Sequence, residues 1–245
     1  MSVAGPRPLA LKQQRDLGQI IEVTFEIFTQ NFMPLLTIAA VVVPIGIASG
    51  VLREAIDDPA AAALVVLALL VLQFVASLLA LAALIVALSD IDAGRGVDFS
   101  RAYDAVFARF WTVIGAALRA IGVVVLLAVT VIGLPFALYL GIRWLFIQQA
   151  VILDGTSAKA ALSYSADAVS GRWWRTLGIT IVIALIVGVP SSIVSGLFSL
   201  APPLVSSTVS AALNAALLPF SAIAMSLLYL DLQTRKESDV ANGLA

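Results

Sequence analysis

Long apolar segments alternate with short polar ones along almost the whole chain. A helix needs about 20 consecutive apolar residues to cross a hydrocarbon core, and it must satisfy its backbone polar groups internally. Six segments have this character, the fourth near the lower limit of length, and they occupy residues 32–52, 60–88, 111–133, 136–153, 177–200 and 204–230. The pattern predicts an all-α polytopic membrane protein with six transmembrane helices.

A shorter amphipathic segment recurs three times, at residues 17–32, 98–110 and 161–173, each time directly before an odd-numbered span. Each copy has an acid, then five residues later a basic or amide residue, and then an aromatic residue. The matched residues are Glu26, Asn31 and Phe32, then Asp104, Arg109 and Phe110, then Asp167, Arg172 and Trp173. We therefore predict three parallel repeats, each an interfacial amphipathic helix followed by a hairpin of two spans. The alternative is that ordinary connecting loops are amphipathic by chance.

Side chains near these segments predict how the chain meets the membrane surface. Asp98 and Ser157 are candidate N-caps, because their side-chain oxygens accept hydrogen bonds from free helix amides. Tryptophan favours the headgroup region, so Trp111, Trp173 and Trp174 are predicted to be interfacial anchors.

The distribution of Lys and Arg predicts the orientation, because short cytoplasmic loops carry the excess of these residues. One side of the predicted topology holds Arg7, Lys12, Arg15, Arg95, Arg101, Arg109, Lys159, Arg172, Arg175, Arg235 and Lys236. The other side holds only Arg53, beside Glu54, Asp57 and Asp58. Both termini are therefore predicted to be cytoplasmic, which requires an even number of spans and agrees with six.

Composition indicates a membrane protein without a soluble domain. The chain is 61% hydrophobic and only 12% charged, and its mean hydropathy of +1.07 lies outside the usual range of soluble domains. The net charge of -1 leaves no basic excess to neutralise nucleic-acid phosphates. We predict a cytoplasmic N-terminal tail at residues 1–16, one membrane domain at 17–236, and a C-terminal tail at 237–245, with no cleaved signal peptide.

The chain lacks the residue types and motifs on which most enzyme sites depend. It contains no cysteine and no histidine, and histidine is the commonest metal ligand and general base. It also has no HExxH, no GxSxG, no phosphate-binding glycine loop and no pair of carboxylates within a predicted span. We therefore expect no enzyme activity, no cofactor and no metal, and the missing carboxylates argue against a proton-coupled pump.

Two arginines lie within predicted spans, where a charge is costly. Arg119 is close enough to one end of the third span for its side chain to reach the headgroups, which favours anchoring over ligand binding. Arg143 lies near the middle of the fourth span, and no Asp or Glu lies within any span core to neutralise it. Its partner is either the backbone carbonyls of a broken helix, Asp231 at the end of the sixth span, or the phosphate of a lipid in a groove.

A guanidinium binds phosphate in a bidentate manner, so ligand binding at Arg143 and a purely structural network are both open. Gln148 and Gln149 on the same helix, with Gln73 and Asn214 elsewhere, would supply further donors and acceptors or hold helices together. The candidate ligand-binding residues are Arg143, Arg119, Gln148 and Asp231.

Small residues and prolines within the spans predict close packing and kinks. Small residues spaced four apart allow two helices to approach each other, and they occur at Gly46 and Gly50, Ala76 and Ala80, and Ser192 and Gly196. Pro44 and Pro190 are expected to kink their spans.

Four groups of residues carry a resemblance to a known family. They are Leu17-Gly18 with Ile20-Ile21, Asn31-Phe32 with Pro34-Leu35, Val151-Ile152-Leu153-Asp154-Gly155 with Ala161-Leu162 and Ser165, and Leu227-Leu228-Tyr229-Leu230-Asp231-Leu232 with Arg235-Lys236-Glu237. On these residues the chain resembles the bacterial family named for the membrane domain of glycerophosphoryl diester phosphodiesterase, with related YciC-like membrane proteins. Asp154 and Gln233 depart from the family, where Glu and Arg are usual.

The resemblance implies a six-span, multi-pass helical protein of the bacterial inner membrane. The family takes its name from fusions to a soluble phosphodiesterase domain that depends on histidine. Because this chain has no histidine, the resemblance does not imply that activity here.

Two functions of different class are compatible with the sequence. The first is a non-enzymatic protein that binds or handles an anionic lipid or solute between its spans, with Arg143 as the binding residue. The second is a structural or partner-binding protein that acts through its cytoplasmic amphipathic helices. Both place the protein in contact with the lipid bilayer, and neither involves nucleic acid.

Overall fold

The computed structural model describes residues 11–243, which form helices and connecting turns without β-strands. Arg7 and most of the predicted N-terminal tail therefore lie outside the described residues. The helices are α1 (Leu17–Gln30), α2 (Phe32–Ala39), α3 (Val43–Ala55), α4 (Pro59–Asp92), α5 (Phe99–Phe107), α6 (Phe110–Ala128), α7 (Leu134–Arg143), α8 (Ile147–Leu153), α9 (Ala160–Val169), α10 (Trp173–Leu197) and α11 (Pro203–Ala241). A 3-10 turn at Ala40–Val42 joins α2 to α3.

The prediction of six spans is confirmed, since six helical segments of the described chain are long and apolar enough to cross a membrane. They are Phe32–Leu52, Pro59–Asp92, Phe110–Ala128, Leu134–Leu153, Trp173–Leu197 and Pro203–Ala241. Helix α11 continues to Ala241, five residues past residue 236, where the predicted membrane domain ends.

The three matched positions Asn31, Arg109 and Arg172 have the same backbone conformation. Their φ and ψ angles are -119° and 22°, -116° and 15°, and -130° and 26° respectively. Each residue directly precedes the first residue of a span, which is the matched aromatic in every case. This shared geometry is compatible with three parallel repeats, which stay a prediction.

The centre of the fold is α11, which packs against α1, α3, α4 and α10. Its fully buried residues include Leu227, Leu228 and Tyr229. The α1 helix packs on α11 through Ile20, Ile27 and the rings of Phe25 and Phe28, which contact the ring of Phe220 edge-on. These contacts are to protein. We therefore infer that packing on the helical bundle holds α1 in place, in addition to any contact of its amphipathic face with the membrane surface.

Caps define where the shorter helices begin. Asp98 caps α5 as predicted, accepting a hydrogen bond from the backbone N–H of Arg101 at 2.7 Å. Ser157 accepts from the N–H of Ala160 at 3.3 Å, although Lys159 is the residue directly before α9. At α1, Asp16 and Gln19 form a reciprocal capping box.

The first span is broken around Ala40–Val42. Pro44 follows this turn and, as proline, has no N–H to donate to a carbonyl one turn earlier. The hydroxyl of Tyr103 on α5 donates to the carbonyl of Ile38 at 2.9 Å, beside the break. Burial of this phenol raises the pKa of Tyr103 to about 12. The contact joins α5 to the first span.

Candidate functional site

The fourth span is interrupted directly after Arg143. The α7 helix ends at Arg143, and α8 begins at Ile147. The hydroxyl of Ser165 bridges the break, because it donates to the carbonyl of Arg143 at 2.8 Å and accepts from the N–H of Phe146 at 3.0 Å. Ser165 lies on α9 and is fully buried. The break is therefore a built feature of the fold, stabilised by a helix that follows it in the chain.

Arg143 is the tenth residue of the twenty-residue fourth span, near its middle as predicted, and the break in the helix follows it directly. The indole N–H of Trp173, the first residue of α10, donates to the carbonyl of Tyr139 at 3.2 Å. Arg143 lies one helical turn beyond Tyr139, next to α9, so it is level with the beginning of the fifth span. The ten residues of α7 measure about 15 Å. Arg143 is therefore close to the start of the fifth span while it stands midway along the fourth.

The guanidinium of Arg143 has an aromatic neighbour but no polar partner. Its central carbon lies 5.6 Å from the centre of the Tyr139 ring, and that ring stacks on Trp173 with centroids 6.0 Å apart. The Nε atom is buried without a hydrogen-bond partner. Among the described residues, no hydrogen bond or ion pair engages this side chain, although a guanidinium carries five N–H donors. The arrangement therefore favours an added anion.

Asp231, a candidate partner of Arg143, is paired with other arginines. Its side chain is fully buried and accepts from Arg175 Nη2 at 3.0 Å and from Arg235 Nε at 2.8 Å. It also accepts from the backbone N–H of Arg15 at 2.7 Å. We call Arg15, Arg175, Asp231 and Arg235 the Asp231 cluster. These bonds give Asp231 a structural part in holding the segment before α1 against α10 and α11.

The same arginines also bind the backbone of Arg15. Arg175 and Arg235 each donate to its carbonyl, at 2.6 and 3.0 Å. Burial lowers the pKa of the Arg15 guanidinium, an effect opposed by the charges of Asp231 and Asp92. The cluster therefore combines ion pairs with satisfied backbone groups, which is the condition under which buried charge is tolerated.

The remaining candidate ligands lie in different surroundings. Arg119 donates from Nη1 to the carbonyl of Gly115 at 3.2 Å, four residues nearer the start of α6. Its side chain thus bends back along its own helix, in the direction expected for snorkelling. Gln148 and its neighbour Gln149 are buried, and the Oε1 atom of each has no hydrogen-bond partner. No described contact joins any of these three side chains to the guanidinium of Arg143.

The three predicted tryptophan anchors are of two kinds. Trp111 and Trp174 are 81% and 78% exposed, so their indoles project from the protein as a membrane anchor requires. Trp173 is packed against Trp174 and Tyr139, and it donates to the backbone of α7. Trp173 therefore also helps to position the helix that carries Arg143.

Sequence reasoning missed a second polar network that involves residues of the family resemblance. Tyr229 donates from its hydroxyl to Asp154, and Gln233 Nε2 donates to Asp154 at 3.0 Å and to the hydroxyl of Tyr229 at 2.9 Å. These contacts tie the turn after α8 to α11. Asp154 and Gln233 are the two positions at which this chain departs from the family pattern, and they are in direct contact. Substitutions that occur together at these two positions in related sequences would have revealed this contact.

A cluster near the end of α4 was also missed. The buried Asp90 accepts from Arg95 Nη2 at 2.8 Å and from Arg101 Nη2 at 2.7 Å through the same oxygen. This contact holds the connection between α4 and α5. Among the side chains that the structure describes, no group of three or more Asp, Glu, His or Cys residues is suited to hold a metal ion.

Comparison with known proteins supports the family resemblance over the second half of the chain. The family model described as the membrane domain of glycerophosphoryl diester phosphodiesterase matches residues 118–235. This range contains Arg119, Arg143, Gln148 and Asp231, as well as Ser165 at the break. Comparisons with curated proteins and with solved structures found no match. The family match and the six apolar helical segments identify an integral membrane protein.

Proposed function

We propose that this protein is a non-enzymatic membrane protein that binds an anionic headgroup through Arg143. The observation that carries the proposal is the unpaired guanidinium, whose Nε is buried without a partner at a break between two helices. A buried donor left unsatisfied costs about 1–3 kcal/mol, and more when it is charged. A bound anion would recover this cost.

Phosphate is an anionic group whose geometry fits this arginine. A guanidinium presents parallel N–H groups that match two phosphate oxygens, which a lysine ammonium does not. The Tyr139 ring covers the guanidinium at 5.6 Å, which supports its orientation. Trp173 and Trp174 at the start of α10 favour a location at headgroup depth. The phosphate belongs either to a lipid or to a solute that enters between the spans.

Two other candidate residues carry less weight in this proposal. Asp231 already accepts three hydrogen bonds from the Asp231 cluster, and as a carboxylate it would repel an anion. Arg119 donates to its own helix, so its role as an anchor is favoured. Gln148 remains a candidate because its buried Oε1 is unpaired, and its amide N–H groups would serve an anion.

The proposal includes residence in the bacterial inner membrane with both termini in the cytoplasm. The support is the excess of Lys and Arg at the end of the bundle that carries the described parts of the termini. A reporter that is active only in the periplasm, fused after Gly96, is expected to be inactive, and one fused after Asp57 is expected to be active. The reverse pattern would contradict this orientation.

Native mass spectrometry of the gently solubilised protein tests the binding proposal. The unmodified protein is expected to retain an anionic lipid or solute, and Arg143→Ala should lower the bound fraction about 10- to 100-fold, as expected for losing a charge-assisted hydrogen-bond pair. Arg143→Lys keeps the positive charge but lacks the parallel N–H donors of the guanidinium, so it should retain only part of the binding. Lys159→Ala, which removes an exposed cation before α9, is the matched control and should not reduce binding.

Unchanged retention of the anion in a folded Arg143→Ala variant would contradict the proposal. The alternative of a structural or partner-binding protein would then be favoured, and it has its own support. Phe25 and Phe99, on α1 and α5, are 49% and 41% exposed. On that alternative, Phe25→Asp or Phe99→Asp should disrupt membrane morphology or partner recovery, while Arg143→Ala should not.

A further inference from the structure

A second cavity is lined by residues that do not surround Arg143. It is a groove of about 520 Å³ between α3, α4, α10 and α11. Five serines and two amides, Gln73 and Asn214, contribute to its lining. None of its lining residues is charged. We call this cavity the serine-lined groove.

Close packing of α3 on α11 forms one wall of the serine-lined groove. A Cβ atom placed on Gly46 would lie 2.9 Å from the Cβ of Ala211, and one placed on Gly50 would lie 2.3 Å from the Cβ of Ser207. Such distances leave no room for a side chain, so only glycine permits this approach. The wall is therefore fixed by backbone contact, which holds the polar groups of the groove in defined positions.

Three of the five serine hydroxyls in this groove donate hydrogen bonds to backbone carbonyls of their own helices. Ser49 donates to the carbonyl of Gly46 at 2.8 Å, Ser207 to that of Pro203 at 2.5 Å, and Ser221 to that of Leu217 at 3.4 Å. Each hydroxyl oxygen keeps lone pairs that accept hydrogen bonds. The groove therefore offers more acceptors than donors.

The two amides strengthen this imbalance. Asn214 donates from Nδ2 to the carbonyl of Ser210 at 2.8 Å, and Gln73 donates from Nε2 to the hydroxyl of Ser77 at 3.4 Å. The Oε1 atom of Gln73 is buried with no hydrogen-bond partner, whereas Asn214 is exposed and no described residue donates to its Oδ1. The unsatisfied buried acceptor of Gln73 is a cost that a donating ligand offsets.

We propose that the serine-lined groove binds an uncharged polyhydroxyl group, as found in a sugar or polyol. The hydroxyls of such a ligand donate to the free acceptors of the groove without bringing a charge into an apolar bundle. An anion would meet mostly acceptors, and a cation would lack a counter-ion in a place where desolvating a charge is costly. The volume lies within the range of small-molecule sites. The group belongs to a glycolipid headgroup or to a free solute.

Two binding assays on the full chain in phosphatidylcholine nanodiscs distinguish these sources. In the first, free glucose and myo-inositol are titrated by calorimetry. In the second, nanodiscs that contain glucosyl-diacylglycerol are compared with nanodiscs that contain plain diacylglycerol, and the retained lipid is measured by native mass spectrometry. Saturable binding of a free sugar or polyol supports the solute source, and selective retention of the glucosylated lipid supports the headgroup source.

Substitutions at the two amides locate the binding site. Gln73→Leu and Asn214→Leu are each expected to weaken binding about tenfold, since each removes an acceptor for a ligand hydroxyl. Ser192→Ala is the control, because Ser192 is exposed on α10, donates to the carbonyl of Gly188, and does not line the groove. Thermal unfolding of each variant reports whether it is folded. No binding in either assay by the folded protein, or binding unchanged in both leucine variants, would overturn the proposal.

Discussion

Asp231→Asn is expected to lower the free energy of unfolding by about 3 kcal/mol, the lower end of the range for breaking a buried ion pair. The carboxylate is fully buried and forms ion pairs with two guanidinium groups, those of Arg175 and Arg235. Asparagine keeps one acceptor but removes the charge, so both arginines lose their counter-ion. Those arginines are 31% and 26% exposed, and the water that reaches them moderates the cost.

Chemical unfolding in detergent micelles measures this effect, and limited proteolysis measures its location. Because Asp231 also accepts the backbone N–H of Arg15, the variant should expose the bond after Arg15 to trypsin while the spans stay intact. Glu237→Gln is the matched control, because it breaks an ion pair with Lys12 that is more than half exposed. Exposed pairs contribute about 0–1 kcal/mol. Equal losses in the two variants would show that the Asp231 cluster is not a structural centre.

Gly50→Leu is expected to separate α3 from α11 and to prevent recovery of a monodisperse protein. A Cβ atom at this position lies 2.3 Å from the Cβ of Ser207 and 3.6 Å from its Cα, so the helices themselves must move. Overpacking of an ordinary core costs about 1–3 kcal/mol. The cost here should exceed that range, since the obstruction is the Cβ of Ser207, which is bonded directly to the backbone, rather than the far end of a flexible side chain.

Size-exclusion chromatography and thermal unfolding in detergent check this expectation. Gly188→Leu on α10 is the matched control, because a Cβ there meets no atom within 4 Å. A second variant tests the cause directly. Gly50→Ala is a milder substitution, and adding Ser207→Gly to it should partly restore stability, because Ser207→Gly removes the side chain that the new methyl group meets. If Gly50→Leu behaves like Gly188→Leu, the close approach of the two helices is wrong.

The spans and their order were predictable from sequence because they depend on local chemistry. Each span needs enough apolar residues to cross a hydrocarbon core, and this requirement is visible in the chain itself. The first span starts at Phe32 as predicted, whereas the third and fifth spans, predicted to start at residues 111 and 177, start at Phe110 and Trp173. The N-cap at Asp98 was readable for the same reason, since a cap acts on amides two or three residues away.

The candidate site was only partly predictable. Sequence singled out Arg143 as an unpaired charge, and no ion pair engages it among the side chains that the structure describes. Sequence offered a broken helix as one of three possibilities, but the hydroxyl that stabilises the break comes from Ser165, in a different helix. The position of Arg143 near the start of α10 depends on Trp173, which is also remote in the chain.

Sequence by itself determined that this is a six-span helical protein, and it identified the arginine with no acidic neighbour in its span. The tertiary structure alone decided which arginines neutralise Asp231, where the fourth span breaks, and that Gly46 and Gly50 face α11 beside a polar groove. The physical reason is the range of the interactions. Hydrophobic length and capping act within one segment, whereas pairing a buried charge or closing a groove requires atoms from several helices, and their choice of partner depends on packing.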